Sequence, residues 1–115
     1  MKIAIVGSRT FSDYNLLERH INDIAKSFNI IKIISGGANG ADTLGEKYAN
    51  INKIPTLILK PDWGKYGKGA GYIRNKDIIN SSDKVVAFWD GKSKGTLNSI
   101  NLAKKQNKLI QMIEF

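Results

Sequence analysis

The stretch Lys2-Ile3-Ala4-Ile5-Val6-Gly7-Ser8-Arg9-Thr10-Phe11 decides how this chain reads. Four apolar residues stand in a row and then give way to Gly-Ser-Arg. A strand covered on both faces is a continuous apolar run rather than an alternation. Glycine is the residue that lets such a strand turn sharply at its end. The opening therefore predicts a central strand over Lys2–Gly7, followed by a polar loop.

Working outward, apolar runs and amphipathic stretches alternate. Residues 15–28 predict a helix, with Leu17, Ile21, Ile24, Ala25 and Phe28 on one face. Asn15 with Glu18 has the form of a capping box. Ile30–Ser35 predicts a second strand, ending in Gly36-Gly37. A short helix follows, with Ala41, Leu44, Tyr48 and Ala49 facing inward. Pro55 precedes a third strand, Thr56–Leu59. Lys60–Gly71 is read as a long irregular stretch. Tyr72–Asn80 predicts a third helix, Lys84–Trp89 a fourth strand, Thr96–Gln106 a fourth helix and Leu109–Ile113 a fifth strand.

This alternation predicts an α/β fold, a single Rossmann-like domain over residues 1–115. Its five-stranded parallel sheet takes the order 3-2-1-4-5, with helices on both faces. In that order strands one and four are neighbours. The crevice beyond their carboxyl ends is where ligands sit in such sheets.

Three loops converge there. Gly7-Ser8-Arg9 offers a hydroxyl donor and a guanidinium able to grip a phosphate bidentately. Ser35-Gly36-Gly37-Ala38-Asn39-Gly40-Ala41-Asp42 carries little side-chain bulk, so a ligand could approach the backbone. It also opens a helix, whose free N–H groups favour an anion. Asp42 reads either as an acceptor for a ribose hydroxyl or, the better reading of that residue alone, as a helix cap. Asp90-Gly91-Lys92-Ser93-Lys94-Gly95-Thr96 again joins a strand to a helix, adding lysines and hydroxyls. Its Gly-Lys-Ser does not make a Walker A motif, because Val86 stands where the first glycine belongs. Gly67, Gly69 and Gly71 miss the dinucleotide fingerprint, with Tyr72 at its last position. Trp63, in a polar glycine-rich segment, is a candidate for stacking on a base. Trp89, also near the ligand edge, reads either as a second stacking aromatic or, the preferred reading, as a cap on the core at the end of strand four.

The 115 residues include no cysteine and one histidine, His20. That excludes disulfides and thiolate metal sites and leaves too little for a histidine cluster, so no metal site and no cofactor are expected. No apolar run approaches the ~20 residues of a membrane span. The start of the chain shows no signal peptide, and a cytoplasmic setting is expected. The net charge of +8 favours anionic partners, or simply a solvated lysine-rich surface.

Taken together, five motifs in order resemble the YspA-like branch of the SLOG superfamily over nearly the whole chain. They are Gly7-Ser8-Arg9, Ser35-Gly36-Gly37-Ala38 with Gly40-Ala41-Asp42, Asp62-Trp63, Gly71 with Arg74-Asn75, and Trp89-Asp90-Gly91 with Ser93 and Gly95-Thr96. The resemblance implies a Rossmann-like fold that takes nucleotides or nucleotide-derived ligands. It implies kinship with the Lonely Guy phosphoribohydrolases, the DNA-processing protein of natural transformation and NAD- or ADP-ribose-sensing domains. By the same resemblance Arg74 matches the hydrolases' catalytic arginine and Gly95-Thr96 their second glycine motif. Ser99 stands where they carry a glutamate, and a serine cannot serve as a carboxylate acid or base. Homo-oligomers, usually dimers, are common among such relatives.

Three functions follow in order of preference. The first is a sensor or sequestering module for an NAD- or ADP-ribose-type molecule or a cyclic nucleotide. The second is a nucleoside-phosphate N-glycosidase with Arg74, Asp42 and Asp90 as its catalytic groups. The third is a DNA-binding protein. The ligand-binding residues expected are Gly7, Ser8, Arg9, Ser35, Gly36, Gly37, Ala38, Gly40, Asp42, Trp63, Arg74, Asn75, Asp90, Gly91, Ser93, Lys94, Gly95 and Thr96.

Overall fold

A computed structural model describes residues 1–115. Its strands are β1 (Lys2–Gly7), β2 (Lys32–Ser35), β3 (Thr56–Ile58), β4 (Lys84–Trp89) and β5 (Leu109–Glu114). They form one parallel sheet in the order β3-β2-β1-β4-β5, as the alternating pattern predicts. β1 is central, and its register with β4 runs from Ile3 opposite Lys84 to Gly7 opposite Phe88.

The helices are α1 (Tyr14–Ser27), α2 (Ala41–Ile51), α3 (Trp63–Tyr66), α4 (Ala70–Ser81) and α5 (Lys94–Lys105). Successive side chains of a strand point to opposite faces, so β1 feeds two cores. Ile3 and Ile5 pack with Leu17 and Ile21 of α1 and Tyr48 and Ala49 of α2. Ala4 and Val6 pack with Ile78 and Ile79 of α4 and Ile100 and Ala103 of α5. The helices thus change face between β3 and β4, which makes the carboxyl ends of β1 and β4 the switch point.

Several local expectations are corrected. The cap of α1 is Asp13, whose carboxylate accepts from the Leu16 N–H at 3.1 Å, and Asn15 and Glu18 form no capping box. Ala25, expected on the inner face of α1, is exposed. Residues 30 and 31 precede β2 rather than belonging to it. Lys60–Gly71 is largely helical: Asp62 caps α3, a 3-10 turn spans Gly67–Gly69, and α4 begins at Ala70. Asp62 accepts from the Lys65 N–H at 3.0 Å, which secures a turn that glycine content alone argues against. The edge strands are not buried on both faces. In β3 only Leu57 is half-buried, and β5 exposes Gln111, Met112 and Glu114.

Candidate functional site

Loop β1–α1 is held at both ends. Phe11 stacks on Phe88 of β4, with ring centroids 4.7 Å apart, and meets Phe115 edge-on at 4.8 Å. Ser8 is buried: its N–H donates to the Phe88 carbonyl at 2.9 Å, and its hydroxyl oxygen accepts from the Asp90 N–H at 3.1 Å. The loops after β1 and β4 are thereby stapled together, and Arg9 is left exposed between them. No hydrogen bond or ion pair within the protein occupies the Arg9 guanidinium.

Between these loops lies a cleft of about 300 Å³. Gly7, Arg9, Ala38, Asp42, Arg74, Asn75, Asp90, Ser93, Gly95 and Thr96 of the expected set line it, together with Val6, Thr10, Ile78 and Ser99. Trp63 lies outside it, on an adjoining cavity of about 180 Å³.

The remaining expected residues have other surroundings. The buried Ser35 hydroxyl donates to Glu46 Oε2 at 2.8 Å and accepts from the Gly37 N–H. A Cβ on Gly40 would lie 2.6 Å from the Arg9 carbonyl oxygen, and one on Gly36 would lie 2.7 Å from Asp42 Oδ2. The space those glycines leave is filled by the protein itself and not open to a ligand. Gly37 and Gly91 turn with positive φ of 71° and 80°. Lys94 is exposed and does not line the cleft.

Gly95 is different. Nothing lies within 4 Å of where its Cβ would be, and it faces both cavities. It sits in the first turn of α5, which Ser93 caps by accepting from the Thr96 N–H at 3.2 Å. The backbone can be approached here, at the positive end of a helix dipole.

Asp42 and Arg74 set the electrostatics. Asp42, 6% exposed, does not cap its helix. That position belongs to Gly40, and the Asp42 carboxylate instead accepts from the Ala38 N–H at 3.2 Å. Burial pushes its pKa up to about 6, against the pull of that N–H and of Arg74. Arg74 donates to the Gly36 carbonyl at 2.6 Å and through Nε to Asn75 Oδ1 at 3.0 Å. Burial lowers its pKa, Asp42 opposes this, and Arg9 adds to the lowering. Two guanidiniums close enough to repel leave a place where an anion would relieve both. Asp90 is held below the usual carboxylate range, chiefly by the N–H groups of Ser93 and Lys92, both at 2.8 Å from Oδ1.

Of the cleft residues outside the expected set, Thr10 adjoins Arg9 in a loop already singled out. Ser99 stands at the motif position where a glutamate is expected. Val6 and Ile78 carry no mark in the sequence that separates them from core.

Residues 1–66 match the model of the YspA, cpYpsA-related SLOG family. Gene 61 protein of Mycobacterium phage D29 is 30% identical over 112 residues, spanning 90% of this chain and 89% of that protein. The chain belongs to the YspA, cpYpsA-related SLOG family. The family match runs from β1 through α3, so Arg9 and Asp42 lie within it and Arg74, Asp90 and Gly95 beyond it. Two solved structures share the fold of this SLOG chain. One is DNA processing protein A from Helicobacter pylori, described for its single-stranded DNA binding mode, at a TM-score of 0.75 and 24% identity. The other is DNA processing protein A from Streptococcus pneumoniae, at 0.74 and 23%. All of this chain aligns with 66% of the first, and 96% of it with 49% of the second.

Proposed function

We propose that the chain binds a nucleotide or nucleotide-derived ligand in the cleft between β1 and β4, as a sensor or sequestering module. The observation that carries this reading is that Arg9 and Arg74 both line the cleft, together with the open backbone of Gly95. Arginine forks suit phosphate oxygens, and a helix N-terminus adds N–H donors for the same charge. Calorimetry against mononucleotides, nucleoside diphosphates, nucleotide sugars, NAD and cyclic nucleotides tests it. Saturable one-site binding to at least one of them is expected, and flat titrations across the panel refute the reading.

Cleavage is the second reading, and Asp42 is what favours it. A carboxyl with a pKa of about 6 can exchange a proton near neutral pH. Chromatography of the same incubations for free base tests this, and intact ligand after prolonged incubation rejects it. Single-stranded DNA is a further reading, drawn from the net charge of +8 and the DNA-binding Helicobacter pylori neighbour. A homodimer belongs to the proposal as well, with sedimentation at micromolar concentration as its check.

A further inference from the structure

The cleft and the adjoining outer cavity share four residues: Arg9, Arg74, Asn75 and Gly95. The chemistry changes across that shared wall. Inside it the cleft carries the Asp42 and Asp90 carboxyls and the Thr96 and Ser99 hydroxyls, and no aromatic ring. Outside it stand Trp63 and Tyr72, with Lys68 beside them. Trp63 is 54% exposed and Tyr72 52% exposed, so neither is used by the core. Two large rings half in water at the mouth of a polar cleft form a surface suited to stacking.

The two arginines are therefore in the middle of the site and not at its end. A phosphate pushed to the inner end would approach Asp42 and Asp90, and like charges repel. The whole cleft, the space along the arginines included, is about 300 Å³, the volume of about ten waters. That is room for a sugar ring, whose hydroxyls can donate to carboxylates and accept from hydroxyls. A second base there would find only Val6, Ile78 and Ala38 as apolar wall.

Resting on the nucleotide-binding reading above, we propose that the ligand is a nucleoside 5′-diphosphate whose β-phosphate is esterified to a second polyhydroxylated group. The base stacks on Trp63 and Tyr72, and the diphosphate lies along Arg9 and Arg74. The second group enters the cleft toward Asp42. The class is a nucleotide sugar in the broad sense. Mononucleotides lack the second group, and dinucleotides carry on it a second base for which the cleft offers little apolar wall.

ADP-ribose and UDP-glucose serve as probes, each titrated against its own diphosphate, ADP or UDP, with intrinsic tryptophan fluorescence and calorimetry as readouts. At least one of the two sugars is expected to bind about tenfold or more tightly than its diphosphate. The comparison is stringent, because a free diphosphate carries more charge for the arginines. Asp42→Asn is expected to erase that advantage, bringing the affinities for sugar and diphosphate to within about twofold of each other. Trp63→Ala is expected to weaken sugar and diphosphate by the same factor, about five- to hundredfold for one lost stacking contact. Diphosphates binding as tightly as their sugars overturn the order of groups but leave nucleotide binding standing. So does an Asp42→Asn variant that weakens both alike, or a dinucleotide that outcompetes every sugar. Failure of all four probes overturns the order of groups, and the nucleotide reading falls with it only when mononucleotides, NAD and cyclic nucleotides fail as well.

Discussion

At Asp42 the chain buries a carboxyl beside Arg74 and Glu46, and the effect is visible in its proton affinity. The folded state holds the Asp42 proton more tightly than the unfolded chain does. The stability it contributes is full below pH 3.8 and is lost as pH rises through about 6, by about 3 kcal/mol. Asp42→Asn should thus raise stability at pH 7 by about 1–3 kcal/mol and flatten its decline between about pH 4 and 6. Urea unfolding across that range checks both, and a variant less stable than wild type at pH 7 contradicts the assignment. Gly7 presents the opposite case. A Cβ there would lie 2.6 Å from the Ala41 Cβ and closer still to the Phe88 carbonyl. Gly7→Ala should destabilise by about 1–3 kcal/mol, read from the shift of the urea midpoint. These glycines were legible in the sequence as loop formers, and their use was not. Room for a ligand and room for a neighbouring backbone leave the same residue at the same place, and only the packing around Gly7, Gly36 and Gly40 distinguishes them.

Among the elements, α5 offers the sharpest separation of binding from folding. Gly95 is helical, with open space around the Cβ position. Alanine is a better helix former than glycine, by about 1 kcal/mol. Gly95→Ala should leave the melting temperature unchanged or higher while weakening ligand binding, because the new methyl enters the cleft. A variant that binds as wild type does would show that the ligand stays away from this backbone. Helix α3 shows why part of the candidate site could not be read. Residues 60–71 hold four glycines and three lysines, a composition that argues for loop, yet the Asp62 cap and the packing of Trp63 beside Gly71 give it a turn of helix. The outer cavity, with Lys68 and Tyr72, exists only because that turn forms. Strands β1 and β4 were legible because both faces of each are covered, so nearly every residue is apolar. Edge strands β3 and β5 have one flank without a partner, and their ends shift accordingly.

The whole molecule was legible at the level of topology. Five apolar runs alternating with four helical patterns leave few arrangements, and the strand order follows from right-handed crossovers on both faces of the sheet. Net charge was less informative, since a total of +8 is compatible with a small anion or a polyanion. Salt dependence separates them. A groove making 6–10 phosphate contacts loses about 10³–10⁵ in affinity between about 50 and 200 mM salt. A diphosphate held by two arginines should lose no more than about tenfold over the same range. A thousandfold loss would point to nucleic acid as the ligand. An anion held at the β1–β4 switch point has its clearest reporter in Arg9. Unlike Arg74, which also bonds the Gly36 carbonyl, Arg9 is exposed and engaged by nothing else in the protein. Calorimetric titration of wild type and Arg9→Ala with ADP-ribose, beside their thermal melts, is the direct test. Arg9→Ala should bind about tenfold or more weakly, with the melting temperature unchanged. Equal affinity in the two proteins would contradict it.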